Sequence, residues 1–392
     1  NGAGTTTFTG NLTAITTGNK TFTLGGSGDG VFSGAIADGL GVTALAKNGN
    51  GTWTLSSSGS TFTGAVQVNE GILKVQNANA LGSGSAGTTV GSGATLQLDG
   101  ALGTFNGTLT LSGTGYTGVG ALYGTGGNNR WGNNLALAGD ATINTTSTGY
   151  LALGLTTTRY NRALSDPSGT PSDPTTLDLG SHTLTLTGTT SAADHRAIYI
   201  NARLQGTGNL VVNMTNTADV VRLTNNYNPN FTGTTTIQNG TLSLATLYNT
   251  YPNDPAHPNF FAINGPMVIG DGTGAANSAR LTIEANGAVT YDEQMNFTTP
   301  VTLYQDGQFS LLAAQTIGTL TFNGGNIDLG TTGTLFLNGD VTVNASAGHT
   351  ATITGTGSSG LSMTQHQGPS PVPNASRVFN VVAGAGNTSD LT

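Results

Sequence analysis

The sequence predicts an all-β fold, a parallel β-helix (β-solenoid) in which short strands stack coil upon coil. Apolar residues alternate with Thr, Gln or Lys in short runs along almost the whole chain, as in TWTL, VQV and ILKV between Thr52 and Val75. Such alternation is typical of a half-buried strand, and Gly-, Ser- and Asn-rich segments separate the runs. No long segment has a helical period, so the strands must be joined by corners rather than by helices.

The composition restricts the class of protein. Only 8 % of the 392 residues are charged and 61 are Gly, yet the regular alternation favours an ordered chain over a disordered one. The net charge of −8 argues against a nucleic-acid partner, which requires a basic patch. The chain has no Cys, which excludes disulfides and thiolate chemistry and fits a protein exported through an oxidising compartment. No apolar run is long enough to span a bilayer.

An internal repeat indicates how one coil is built. The tripeptide Phe-x-Gly recurs along the chain, and two copies extend without a gap, FTGAVQVNEGILKV from Phe62 and FTGTTTIQNGTLSL from Phe231. We expect Phe62 and Phe231 to fill the interior at a corner. Gly64 and Gly233 are expected to allow a turn with positive φ, and Gly71 and Gly240 mark the second corner. Strand, corner, strand, corner predicts one continuous solenoid over residues 1–392, an elongated rod.

Four stretches interrupt the alternation and are predicted to protrude from the rod as loops. They are rich in Gly and Asn or in Pro, which removes a donor from the strand ladder. Their approximate ranges are 118–134, 155–176, 245–266 and 365–376.

The segment Gly49 to Gly84, GNGTWTLSSSGSTFTGAVQVNEGILKVQNANALGSG, resembles the passenger-associated transport repeat, also called the autotransporter-associated β-strand repeat. Phe62 stands where the family usually has Tyr, and a less complete match covers Asn225 to Leu244. The resemblance implies a right-handed parallel β-helix that is secreted and displayed on the bacterial surface.

Residues that could carry catalysis have a simpler interpretation. Most Asp residues lie in Gly-containing corners, where the side chain caps a turn. Asp292 and Glu293 are adjacent and would point to opposite faces of a strand, and the trio Asp194-His195-Arg196 reads as a surface turn. The His residues show no metal-ligand spacing. We therefore predict no catalytic residue, no cofactor and no metal site; a polysaccharide-degrading β-helix enzyme is the alternative.

The predicted loop 245–266 contains the most suggestive cluster of aromatic residues, Tyr248, Tyr251, Phe260 and Phe261. These rings could dock a sugar or a partner, or they could fold back onto the side of the rod. A carbohydrate-binding adhesin is thus a second alternative, with a cell-surface or extracellular polysaccharide as its partner.

The sequence as a whole favours a non-enzymatic structural or adhesive protein, extracellular or on the bacterial cell surface. Neither end of the sequence offers a capping helix for the open strand edges. We therefore expect either continuation of the rod in a longer chain or end-to-end stacking of copies into a fibre or stalk.

Overall fold

The computed structural model describes residues 5–155, 175–224, 230–245, 261–284, 294–344, 350–363 and 377–382. Within these ranges the regular structure consists of short strands and two 3₁₀ segments, Ala78–Leu81 and Tyr116–Gly118, without an α-helix. The described residues fall into two compact units, one up to residue 202 and the other from residue 203 onward. None of the described helical segments is long and apolar enough to cross a membrane.

The strands of the first unit are short and evenly distributed. They are β1 Thr6–Phe8, β2 Leu12–Thr13, β3 Lys20–Leu24, β4 Gly30–Phe32, β5 Ile36–Ala37, β6 Thr43–Lys47, β7 Thr52–Leu55, β8 Val66–Val68, β9 Gly71–Val75, β10 Thr88–Val90, β11 Ala94–Asp99, β12 Gly103–Phe105, β13 Leu109–Gly113, β14 Leu122–Gly126, β15 Asn129–Trp131, β16 Leu135–Ser147, β17 Leu151–Leu153, β18 Thr176–Asp178, β19 Leu184–Thr190 and β20 Arg196–Ile200.

Every strand pairing within the first unit for which the register is defined is parallel, and the pairs form three columns. One column stacks β1, β4, β7, β9, β11, β14, the end of β16 and β19. A second stacks β3, β6, β8, β10, β13, the start of β16 and β18. The third stacks β12, β15, β17 and β20, with β2 and β5 paired separately.

One coil of the first unit is commonly 20 to 26 residues long, as shown by Trp53 pairing with Leu73 and Leu96 with Leu122. Because the side-chain period of a strand is two, this register places like residues above one another. Leu73, Leu96, Leu122 and Ile143 form one such stack and are fully buried. Each coil is thus completed by its neighbours, and the predicted parallel β-solenoid is confirmed for this unit.

The second unit has the same construction. Its strands are β21 Arg203–Gln205, β22 Leu210–Met214, β23 Val220–Leu223, β24 Thr235–Leu244, β25 Met267–Ile269, β26 Ala279–Ile283, β27 Val301–Tyr304, β28 Gly307–Leu311, β29 Gln315–Ile317, β30 Leu320–Asn323, β31 Gly325–Asp328, β32 Thr334–Leu337, β33 Val341–Asn344, β34 Ala351–Thr354, β35 Gly360–Ser362 and β36 Phe379–Val382.

Parallel columns again organise the strands of the second unit. One column runs through β22, β24, β25, β27, β30, β33 and β36, and another through β23, β24, β26, β28, β31 and β34. The short strands β29, β32 and β35 form a third. The second unit is therefore also a parallel β-solenoid, while a single solenoid over the whole chain stays a prediction.

The predicted loop 118–134 is wrong for about half of its length, because β14 and β15 lie within it. Gly124 and Asn129 take the inward positions at which the sequence pattern requires an aliphatic residue. The side chain of Asn129 is nevertheless satisfied, since its Oδ1 accepts a hydrogen bond from the backbone of Leu102. Trp131 fills the interior and stacks on Phe105 of the preceding coil, with 5.6 Å between the ring centroids.

The other predicted loops lie largely outside the described residues, which omit 156–174, 246–260 and 364–376. Of the loop 245–266, the part from Phe261 onward is described. Phe261, Ala262 and Ile263 are buried there, and Ile263 forms a parallel bridge with Met295. This end of the stretch is therefore part of a coil rather than a protruding loop.

Candidate functional site

The first repeat copy forms a tightly packed corner. Phe62 is fully buried, and the backbone N–H of Gly64 donates to the carbonyl oxygen of Thr43 in the coil below, at 3.0 Å. A Cβ at Gly64 would collide with that same carbonyl. At Gly71, φ is +62° and a Cβ would lie 2.5 Å from the carbonyl oxygen of Gly49.

The second repeat copy repeats these features. Phe231 is fully buried, and a Cβ at Gly233 would collide with the carbonyl of Gly208. At Gly240, φ is +85° and a Cβ would lie 2.7 Å from the Cβ of Met214. Gly64 and Gly233 do not have positive φ, so the expected reason for these two glycines was wrong. They are needed because the backbone of the neighbouring coil approaches too closely for a side chain.

The outer face of the first column in the first unit carries a group of polar side chains that we call the polar ladder. Its members lie on four successive coils in two parallel rows, since Lys74, Gln97, Tyr123 and Asn144 are neighbours in register and Asp99, Thr125 and Thr146 form the second row. Gln76, which directly follows β9, lies beside Asp99. The ladder comprises Lys74, Gln76, Gln97, Asp99, Tyr123, Thr125, Asn144 and Thr146.

Asp99 is the centre of the hydrogen-bond network in the polar ladder. Its carboxylate accepts hydrogen bonds from Gln76 Nε2 at 3.0 Å and from Thr125 Oγ1 at 2.9 Å, and Lys74 Nζ lies 3.7 Å away. Partial burial raises the pKa of Asp99, but the hydrogen bonds from Gln76 and Thr125 and the charge of Lys74 together lower it below its ordinary value. The carboxylate is therefore ionised at neutral pH and balances the lysine charge.

Further hydrogen bonds fix the upper part of the polar ladder. Gln97 Nε2 donates to Thr125 Oγ1 at 3.2 Å, and the hydroxyls of Tyr123 and Thr146 are 2.7 Å apart. Asn144 Nδ2 donates to the carbonyl of Val119. The Oδ1 atom of Asn144 is buried and has no hydrogen-bond partner among the described residues. The ladder side chains are thus held in defined positions although the face is open to solvent.

A buried lysine lies at the end of β6, where the strand meets a corner. Lys47 is fully buried, and its Nζ donates to the main-chain oxygens of Asn48, Gly49 and Glu70 at 3.2, 2.6 and 3.0 Å. Burial lowers the pKa of Lys47 to about 8, and the nearby charges of Glu70 and Asp29 oppose this shift. These contacts tie successive corners together and do not form an open site.

In the second unit, Arg222 and Glu284 form a bidentate ion pair. Arg222 Nε and Nη2 donate to the Glu284 carboxylate at 3.1 and 2.6 Å, and the hydroxyl of Ser243, which lies on a strand between them, also donates to it. The two charged side chains are only 15 % and 21 % exposed. Arg222, Ser243 and Glu284 lie on three successive coils, so this group fastens the stack.

The corner Asp residues form coil-to-coil contacts instead of a carboxylate pair. Asp29 accepts from the backbone of Thr52, Asp140 from Thr183 and Asp340 from Val378, at 2.7 to 2.9 Å. Asp306 accepts from the backbone of Gly272 at 2.8 Å. Among the described residues, no three His, Asp or Glu side chains lie together as a metal site.

The predicted aromatic cluster is only partly within the described chain. Tyr248, Tyr251 and Phe260 lie outside it, so their role as an interaction loop stays a prediction. Phe261 is 4 % exposed and packs edge-to-face against Phe297, with 4.9 Å between the ring centroids. Phe261 therefore has no exposed ring to present to a ligand.

Comparison with known proteins supports the repeat interpretation. The family model described as passenger-associated-transport-repeat matches residues 45–75 and 204–244, which include both corners described above. The chain carries passenger-associated transport repeats. These repeats supply strands β7, β8 and β9 in the first unit and β22, β23 and β24 in the second.

One similar protein is the adhesin BmaC autotransporter of Brucella suis biovar 1 (strain 1330). The two sequences are 46 % identical over 67 residues, which are 16 % of this chain and 2 % of the adhesin. The similarity thus covers a small part of a much longer protein. No solved structure matches the chain.

Proposed function

We propose that this chain is a non-enzymatic adhesive element displayed on the outside of a bacterium. The observation that carries the proposal is the coincidence of the passenger-associated transport repeats with the packed corners of a parallel β-solenoid. The autotransporter adhesin relative supports a role in attachment, and the charge-poor composition suits a structural surface protein.

The contacts between coils support a scaffold role. Carboxylates and the buried lysine bind backbone groups of adjacent coils, as at Asp29, Asp140 and Lys47, so charged side chains serve to fix the stack. A solenoid of this kind presents extended faces of regularly spaced side chains. Such faces provide binding surface without requiring a catalytic cleft.

Adhesion of displayed chains tests the proposal. The 392-residue chain is fused to a heterologous surface anchor in a non-adherent bacterium, and cells retained on polysaccharide-coated and protein-coated surfaces are counted under flow. We expect retention well above that of cells displaying the anchor alone. Equal retention, or release of reducing ends or unsaturated products by the purified chain, would contradict the proposal.

We also propose that copies of the chain associate with one another, end to end. In the first unit, Phe8 is 50 % and Ile15 is 83 % exposed, and in the second unit Val378 is 56 % exposed. Exposed apolar side chains favour burial against another copy of the chain. Light scattering at rising concentration should show growing assemblies, and a constant monomer mass would contradict stacking.

A further inference from the structure

We propose that the polar ladder binds a neutral saccharide chain that lies across the strands, along the stack of coils. This inference rests on the proposed adhesive function and names the chemical class of its partner. It is independent of the aromatic residues in the segment 245–266.

The spacing of the polar ladder suits a polymer of repeating sugars. Neighbouring parallel strands are about 4.8 Å apart, which is close to the length of one pyranose unit. Lys74, Gln97 and Tyr123 follow one another at this spacing on consecutive coils. A saccharide chain on this face can therefore contact one rung per sugar residue.

The chemistry of the polar ladder suits hydroxyl groups, which both donate and accept hydrogen bonds. An amide side chain carries two donor hydrogens and a carbonyl acceptor. Gln76 and Gln97 each use one donor within the ladder, to Asp99 and Thr125 respectively, so further donor and acceptor capacity is open to a ligand. The Tyr123 ring offers an apolar surface to the C–H face of a sugar.

Existing hydrogen bonds prepare these groups for binding. The hydroxyl contact between Tyr123 and Thr146 fixes the orientation of the ring, and Asp99 fixes Gln76 and Thr125. Groups that are held in place lose little conformational entropy when a ligand binds. The half-exposed ladder is therefore a prepared surface.

The same groups argue against other classes of partner. Lys74 is paired with Asp99, so the ladder has no net charge to attract nucleic acid or an acidic polymer. Tyr123 is its single aromatic residue, whereas protein interfaces usually depend on clustered aromatic or arginine anchors. A neutral saccharide satisfies the mixed donors and acceptors without requiring either feature.

Native affinity electrophoresis of the purified chain tests the inference. The gels contain galactomannan, mixed-linkage β-glucan or dextran, and the dissociation constant follows from the retardation at increasing polysaccharide concentration. Gln97→Ala and Tyr123→Ala each remove a ladder contact, while Gln67→Ala truncates an exposed outward glutamine on a different column of the same unit. Circular dichroism and tryptophan fluorescence verify that each variant is folded.

We expect at least one polysaccharide to retard the chain. Loss of one good hydrogen-bonding group should weaken binding about tenfold in Gln97→Ala and in Tyr123→Ala, with no change in Gln67→Ala. Absence of retardation by every polysaccharide, full binding by both ladder variants, or an equal loss in Gln67→Ala would overturn the inference.

The displayed chain separates this inference from the proposed function. Cells that display Gln97→Ala and adhere as well as cells with the unchanged chain would refute the ladder while leaving the adhesive function intact. Failure of the unchanged chain to retain cells, despite saccharide binding in the gel, would refute the adhesive function instead.

Discussion

Lys47 should make the stability of the first unit depend on pH in an unusual direction. Its side chain points into the core at the end of β6, between Leu24 and Val68 of the adjacent coils, and is fully buried. Burial lowers its pKa from 10.5 to about 8. Between these two pH values the unfolded chain holds a proton that the folded chain has released, so stability rises with pH.

The magnitude follows from the two pKa values. Below pH 8 both states are protonated, and the full cost of burying the ammonium group reduces stability. Raising the pH through the window from about 8 to 10.5 removes this cost, which amounts to about 3 kcal/mol. The neutral amine then keeps two N–H donors for the three carbonyl oxygens around Nζ.

Urea unfolding followed by tryptophan fluorescence measures this effect, because Trp53 and Trp131 both lie in the same unit as Lys47. The difference between the unchanged chain and Lys47→Met cancels all other titrating groups. We expect the free energy of unfolding of the unchanged chain to gain about 3 kcal/mol over Lys47→Met between pH 7.5 and 10.5. Lys20→Met, at an exposed lysine, should keep the slope of the unchanged chain.

Identical pH profiles for the unchanged chain and Lys47→Met would refute the assignment of a buried, partly discharged lysine. A decrease in the stability of the unchanged chain relative to Lys47→Met across the same window would refute it as well. In that case, the surrounding carbonyls would hold the charged form more strongly than burial opposes it.

Four further substitutions test the packing of the coils, each by urea unfolding. Phe62→Ala should cost about 3 to 5 kcal/mol because it empties a fully buried position, and a cost under 1 kcal/mol would contradict the corner packing. Gly71→Ala should cost about 2 kcal/mol or more, since positive φ is combined with a backbone collision. Gly93→Ala has positive φ and open space, so it should cost only about 1 kcal/mol, and equal costs would exclude the collision. Glu284→Gln should cost about 2 kcal/mol by leaving Arg222 poorly paired, and an unchanged midpoint would show that the ion pair contributes nothing.

The sequence was sufficient to predict the solenoid and its corners. Phe62 with Gly64 and Gly71 recurs as Phe231 with its own two glycines, and alternation between these corners identifies the strands. The reason for Gly64 could not be predicted correctly, because the carbonyl that it approaches belongs to Thr43 of another coil. Local sequence specifies φ preferences but not which backbone lies beneath a residue.

The polar ladder could not be predicted because it depends on coil length. Lys74 and Gln97 are 23 residues apart, whereas Gln97 and Tyr123 are 26 apart, and only the strand register makes all three neighbours. Outward polar residues in alternating runs were visible in the sequence, yet a shift of one residue would place them on another face. Strands β14 and β15 were not predicted because Gly124 and Asn129 occupy inward positions where the alternating pattern has aliphatic residues.

The inward position of Lys47 could have been predicted from the sequence. In the run TALAK, Thr43, Leu45 and Lys47 alternate with alanines, and all three are buried. Continuing the alternation through the lysine would have indicated an inward ammonium group. The ammonium group of Lys47 donates to the carbonyls of Asn48 and Gly49, which directly follow it. Its third acceptor, the carbonyl of Glu70, belongs to the next coil and could not be predicted from the local sequence.

Cysteine pairs introduced into this cysteine-free chain test most directly whether successive coils stack in the stated parallel register. Gln67 and Thr89 are neighbours in register on adjacent coils, and Thr110 lies one coil further along. A disulfide joins Cα atoms about 4.4 to 6.8 Å apart, which one strand spacing of about 4.8 Å permits and two spacings do not. Mild oxidation should therefore crosslink the pair Gln67→Cys with Thr89→Cys and leave Gln67→Cys with Thr110→Cys as free thiols. Equal crosslinking of the two pairs, or crosslinking of the second pair alone, would contradict the stacked register on which the fold and the polar ladder depend.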